Sequence, residues 1–155
     1  MDQFTKKVKQ FHDAMGLPIA EEQTVTNKEV NKRRVSLLKE ELKELEDALT
    51  SNDKKETLDA LCDLQFVLSG AVLELGFQKV FEKGFTAVSA SNMTKAFNSE
   101  SEAQSAIDNA LNNRNTILTM VETVDGSWIT KNAIGKLIKN PAYTSVDLSG
   151  FITDD

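Results

Sequence analysis

The sequence predicts an all-α protein with a four-helix-bundle-like core and an irregular C-terminal extension that carries a small β-hairpin. Two observations lead to this class and a third supports it. Only two prolines and seven glycines punctuate 155 residues, and the longest stretch free of both runs from Ile19 to Ser69, which leaves few of the turns a sheet protein needs. Apolar residues recur at helical spacing as far as Asn92, the mark of amphipathic helices. Hydrophobic residues make up 40% and charged residues 27%, an ordinary globular balance that can enclose a core in a chain of this length. One domain over 1–155 is the expectation, with a core of about 2–95 and an extension of about 96–155.

Phe4, Val8 and Phe11 share one face of a first helix, Asp2 to Met15, stopped by Gly16-Leu17-Pro18. Asn27 suits an N-cap. Beyond it Val30, Arg34, Leu37, Leu38, Glu41, Leu45, Ala48 and Leu49 form the stripe of a long second helix that ends near Thr50-Ser51-Asn52. Lys54 to about Leu75 is the third helix, with Leu58, Leu61, Cys62, Leu64, Phe66 and Val67 pointing in nearly every direction, which predicts burial on most sides. Cys62 then reads as a small buried apolar residue, and a lone cysteine excludes an intramolecular disulfide. Gln78 to Asn92 is a shorter fourth helix. After Lys95 the chain turns rich in Ser, Asn and Thr, with a helical stretch near Glu102 to Asn112. Ile117 to Val124, the turn Asp125-Gly126-Ser127, and Trp128 to Thr130 then read as a hairpin.

The formal charge of −6 argues against a duplex-binding basic surface. Charges in Met1 to Gly16 interrupt any signal-peptide core, and no apolar run is long enough to span a bilayer. A cytoplasmic protein without nucleic-acid or membrane partners is expected.

Glu40, Glu41 and Glu44 lie within five positions, and Glu41 falls inside the apolar stripe of its helix. On the third helix Glu56, Asp59 and Asp63 are spaced by three and four residues and share a face. A charge inside a buried helix needs a counter-charge or a cation. Either these acids pair with Arg33 or Arg34, or they surround a metal. An oxygen-only donor set suits a hard divalent ion, Mg2+ with Mn2+ as a substitute, and magnesium is commonly shared with substrate phosphates.

Glu41-Leu42-Lys43-Glu44 resembles the ExxE element of MazG-like and phosphoribosyl-ATP pyrophosphohydrolase-like proteins. Asp59-Ala60-Leu61-Cys62-Asp63-Leu64 with Phe66-Val67 resembles their second acidic element. Phe11-His12 with Gly16-Leu17-Pro18 is similar to the opening of a MazG-like subgroup, and Ser91-Asn92-Met93-Thr94-Lys95 to its SNMSK signature. The resemblance implies a helical homodimer or homotetramer that cleaves a nucleoside triphosphate, dUTP or dCTP among the candidates, to the monophosphate and pyrophosphate. It implies Glu41, Glu44 and Asp63 as metal ligands, Glu40 as a further ligand or as the base, and Asn92 and Lys95 as substrate contacts. The commoner second element has glutamate where this chain has Ala60, so the acidic pair is Asp59 with Asp63 or Glu56 with Asp59. His12 serves packing or substrate, and Arg34 either approaches phosphate or pairs a glutamate. The rivals are a phosphoribosyl-ATP pyrophosphohydrolase and a non-catalytic helical interaction module. Two acids inside a buried helix would speak against the module.

Overall fold

A computed structural model describes residues 1–114 and 116–153; Asn115, Asp154 and Asp155 of the expected single domain lie outside the described residues. The structure is mostly helical, with five α-helices and one small antiparallel sheet among the described residues. It divides into two compact units, Met1–Gly84 with Phe151–Asp155, and Phe85–Gly150. The division falls at Gly84, ahead of the change in composition after Lys95.

In the first unit, α1 (Gln3–Met15) begins at Asp2, whose carboxylate accepts from the Phe4 and Thr5 amides at 2.9 Å, and ends at Gly16 with φ +65°. It buries Thr5, Val8 and His12, while Phe4 and Phe11 are exposed. The inward face is thus rotated from the expected Phe4–Val8–Phe11 stripe. Polar Thr5 and His12 can be inside because their polar atoms are already engaged: Thr5 Oγ1 donates to Asp2 at 2.7 Å, and His12 Nδ1 lies 3.0 Å from the Pro18 carbonyl.

Asn27 caps α2 (Lys28–Ser51) through the Val30 amide, as expected. Of the α2 stripe, Arg34 and Ala48 are buried, Val30, Leu37, Leu38, Glu41 and Leu45 are half-buried, and Leu49 is exposed. Asp53 caps α3 (Lys54–Glu74), which packs against α2 and α1. Only the C-terminal end of α3, Ser69–Glu74, is buried on all sides. Leu58, Leu61 and Phe66 are exposed, and so is Cys62, which corrects the expectation of a buried helix and a buried thiol. The N-terminal half of α3 has α2 as its neighbour and solvent elsewhere. Past α3, Gly76 takes φ +77° directly against the Glu22 carbonyl, which a Cβ would meet at 2.0 Å. That close approach is possible only without a side chain. It seats the α1–α2 connection on the end of α3, where the Ala20 and Thr24 amides donate to Leu73 and Leu75 at 3.0 Å.

Helix α4 (Phe81–Met93) starts three residues later than expected, after a turn at 78–80, and runs into the second unit. There follow α5 (Glu100–Arg114) and strands β1 (Thr119–Glu122), β2 (Trp128–Lys131) and β3 (Leu137–Ile138), in that order across the sheet. The expected hairpin is present, with Glu122 opposite Trp128 and Thr119 opposite Lys131. Phe97, 2% exposed, exchanges backbone hydrogen bonds with Trp128 at 2.7 and 2.8 Å. With Ala103, Leu118 and Thr130 it forms the unit's interior. The two-residue β3 and a 3₁₀ turn at Ser149–Phe151 were not expected from the sequence.

Candidate active site

The capped helices α2 and α3 lie side by side and present carboxylates to one another. Glu41 is half-buried on α2, and Glu40 and Glu44 are exposed beside it. Burial first, and then the charges of Glu44, Asp63, Glu40 and Asp59, push the Glu41 carboxyl above the ordinary glutamate range. Five of the acids singled out from the sequence therefore share one electrostatic neighbourhood. Glu56 does not act on Glu41; it takes an ion pair from Lys55 at 2.8 Å and lines a cavity of about 550 Å³ with Glu44, Asp47 and Asp59.

Asp59 and Asp63 are exposed, against the expectation that α3 buries them, because the half of α3 that carries them is covered on one side only. Burial of these two acids therefore does not speak against a non-catalytic module. The alternative pairing with Arg33 or Arg34 is not found either. Among the described residues, none of Glu40, Glu41, Glu44, Asp59 and Asp63 forms an ion pair. As placed, no three His, Cys, Asp or Glu side chains among the described residues converge closely enough to hold a metal. The donor set nonetheless fits a hard cation: all candidate ligands are carboxylate oxygens, the other four raise the proton affinity of Glu41, and none of the five forms an ion pair among the described residues.

Both arginines bind Glu74 instead, an acid the sequence reading passed over. Arg34 grips it with two nitrogens, Nε to Oε2 and Nη2 to Oε1, each at 2.9 Å, and Arg33 Nη2 reaches Oε2 at 2.5 Å. Burial alone would raise the Glu74 carboxyl, but the hydrogen bonds from Arg34 and Arg33, and then their charges, hold it below the usual range. Gly70 makes room for the Arg34 fork, since a Cβ there would stand 2.6 Å from Nη1. The one available signal was a glutamate within the otherwise apolar run Gly70–Leu75.

The two arginines and Glu74 close one side of a cavity of about 270 Å³ whose other lining includes Phe11, His12, Leu37 and Phe66. Phe11 and Phe66 meet edge to face with centroids 5.3 Å apart. Donation from His12 Nδ1 to the Pro18 carbonyl fixes the neutral ring as the tautomer with Nε2 free to accept. Leu37 precedes Glu41 by four residues and Phe66 follows Asp63 by three, so the cavity lies one helical turn along both helices from the acids. His12 and Arg34 thus line this cavity. Asn92 and Lys95 belong to the second unit, where both line a cavity of their own.

A family model described as phosphoribosyl-ATP pyrophosphohydrolase matches residues 8–92, more than half of the chain. The matched span holds α1 from Val8 onward, all of α2 and α3 and most of α4, and with them every acid of the α2–α3 constellation. No curated protein matches.

Proposed function

The chain belongs to the phosphoribosyl-ATP pyrophosphohydrolase family, whose members are hydrolases of phosphoric anhydride bonds, and from that premise we propose that it cleaves a nucleoside triphosphate between the α- and β-phosphates in a magnesium-dependent reaction. The observation that carries this reading is the set of carboxylates without ion pairs on α2 and α3, one turn from a cavity lined by aromatic rings and arginines. Glu41, Glu44, Asp59 and Asp63 would hold the ion, with Mn2+ as a substitute. Glu56 is the weaker candidate because Lys55 already neutralises it. When bound, the ion would neutralise charge on the substrate phosphates. Glu41, with its raised proton affinity, or its neighbour Glu40 is suited to take the proton from the attacking water. The water oxygen bonds to the α-phosphorus, the bond from that phosphorus to the oxygen bridging to the β-phosphate breaks, and pyrophosphate leaves with that oxygen and the bonding electrons. The cavity beside Phe11, His12 and Phe66 offers the nucleoside an apolar seat, with Arg33 and Arg34 at its polar side.

The family match favours a second reading, in which the triphosphate is that of phosphoribosyl-ATP; both readings break the same bond. A panel of canonical triphosphates, dUTP, dCTP and phosphoribosyl-ATP, incubated with Mg2+ and resolved by product, separates them. Monophosphate and pyrophosphate are expected from at least one substrate. Orthophosphate as the primary product would sink the mechanism.

Leu49, Leu58 and Leu61, 57%, 64% and 50% exposed, come together along α2 and α3, and an exposed apolar face marks a site of association. We read this face as covered by a second copy of the chain. Sedimentation over a hundred-fold dilution range is expected to show a dimer or tetramer, and Leu58→Lys with Leu61→Lys is expected to dissociate it. A wild-type monomer at all concentrations would overturn the assignment. Among the described residues no helix is long and apolar enough to cross a membrane.

A further inference from the structure

Glu74 is a buried carboxylate that the proposed reaction leaves unused, and its two arginines are held in different ways. The Arg34 side chain is 9% exposed and commits Nε and Nη2 to the two carboxylate oxygens, while its Nη1 lies over Gly70, where a Cβ would stand 2.6 Å away. The Arg33 side chain is 50% exposed and among the described residues bonds Glu74 through Nη2 alone, so Nε and Nη1 keep donors to offer. Both arginines meet on one oxygen: Oε2 accepts from Arg34 Nε at 2.9 Å and from Arg33 Nη2 at 2.5 Å. Arg34 is thus fixed in the interior, and Arg33 is tethered through the shared carboxylate at the cavity that both line.

Position along α2 decides what the remaining donors of Arg33 meet. Leu37 lines the same cavity, with Arg33 four residues before it and Glu41 four after, which sets Arg33 and Glu41 about 12 Å apart along the helix axis. A triphosphate held at the carboxylates of α2 and α3 therefore brings its base, and not its phosphates, to the arginine end. We propose that Arg33 contacts the base of the nucleotide by donating to an acceptor on its edge, and that Glu74, itself held by Arg34, is the positioning residue that keeps Arg33 there. Arg34, which the sequence offers as a phosphate contact, is the mount. A long side chain gives up rotamer freedom when it makes a contact, and the tether to Glu74 removes part of that loss before the substrate arrives. The inference rests on the nucleotide reading above for the orientation of the ligand.

Calorimetric titration of the full chain with Mg2+ present tests both roles without turnover, using dUMP, dCMP and AMP as probes with a base and pyrophosphate as the probe without one. At least one monophosphate is expected to saturate the wild type. Arg33→Met is expected to weaken it at least about ten-fold, the worth of one hydrogen bond from a charged donor, and to leave pyrophosphate affinity and the melting temperature unchanged, because Glu74 keeps both bonds from Arg34. Glu74→Gln is expected to weaken the monophosphate by a similar factor, with little further loss when Arg33→Met is added, since both changes remove one contact. Glu74→Asp keeps the charge, draws the tether back by one methylene and is expected to act in the same direction. Wild-type affinity in Arg33→Met, an equal loss for pyrophosphate, or no saturation by any monophosphate at millimolar concentration would overturn the contact, and additive losses would overturn the role of Glu74. A wild type that binds a monophosphate but releases no pyrophosphate from any triphosphate would fail the reaction and leave this contact standing. Pyrophosphate release with unchanged binding in Arg33→Met would do the reverse.

Discussion

Replacing Asp63 with alanine is expected to lower pyrophosphate release at least about 100-fold, beyond the 10–100-fold that loss of an outer-shell partner alone costs. The Glu41 carboxyl is pushed up by burial and by four neighbouring acids, Asp63 among them. A carboxyl raised in the folded state binds its proton more tightly there than in the unfolded chain. Its contribution therefore favours the fold at low pH and is eroded as pH rises from the unfolded value through the folded one. Removing Asp63 relieves part of that repulsion, so at pH 8 without metal the variant is expected to melt no lower than wild type. Activity and stability are thus expected to move in different directions, which a merely destabilised variant would not show. Kinetics and thermal melting with and without Mg2+ check both, and Asp63→Asn preserves shape while removing charge. Full activity in either variant would mean that Asp63 is surface charge and nothing more.

Glu74→Ala is expected to destabilise the first unit by about 3–5 kcal/mol, the cost of stranding a buried charge. Arg34 is the stranded group: it is 8% exposed, and two of its nitrogens bond Glu74. Urea denaturation at neutral pH reads the loss. The double variant Arg34→Met with Glu74→Leu is expected to recover most of it, because an apolar pair of similar volume carries no desolvation penalty. The pH dependence follows from the lowered Glu74 carboxyl. Its stabilisation is complete above the ordinary glutamate range and disappears as pH falls through the lower folded value. A Glu74→Ala variant as stable as wild type would show that solvent already reaches the pair.

Much of the architecture was readable because it depends on local chemistry. Asn27 and the stripe from Val30 to Ala48 marked α2, since a capping side chain and a helical repeat act within one element. The hairpin was likewise announced by Asp125-Gly126-Ser127. What failed depended on neighbours. The inward face of α1 is set by whether Thr5 and His12 find partners, and the His12 partner is the Pro18 carbonyl, six residues away. Apolar residues all round α3 implied burial, but an element can be apolar on every side and still have only one neighbour, which left Asp59 and Asp63 in solvent. Glu74 stayed hidden because its two partners sit 40 and 41 positions earlier on another helix. The choice between the two acidic registers shows the same limit: spacing left it open, because it does not say which acids share a field, as Asp59 and Asp63 do at Glu41.

The chain's last described stretch returns to the first unit, where Gln23 Nε2 donates to the Phe151 carbonyl at 2.7 Å and Gln23 Oε1 accepts from the Thr153 amide at 3.1 Å. These bonds join positions 128 and 130 residues apart, so in kinetic terms they belong among the late events of folding, after the local contacts of α1, α2 and α3. Doubling the length between such anchors adds only about 0.6 kcal/mol of closure entropy for a flexible chain. The second unit, Phe85–Gly150, is thus an insert within that span, closed at small entropic cost, while α2 and α3, which carry Glu41 and Asp63, form on contacts of their own.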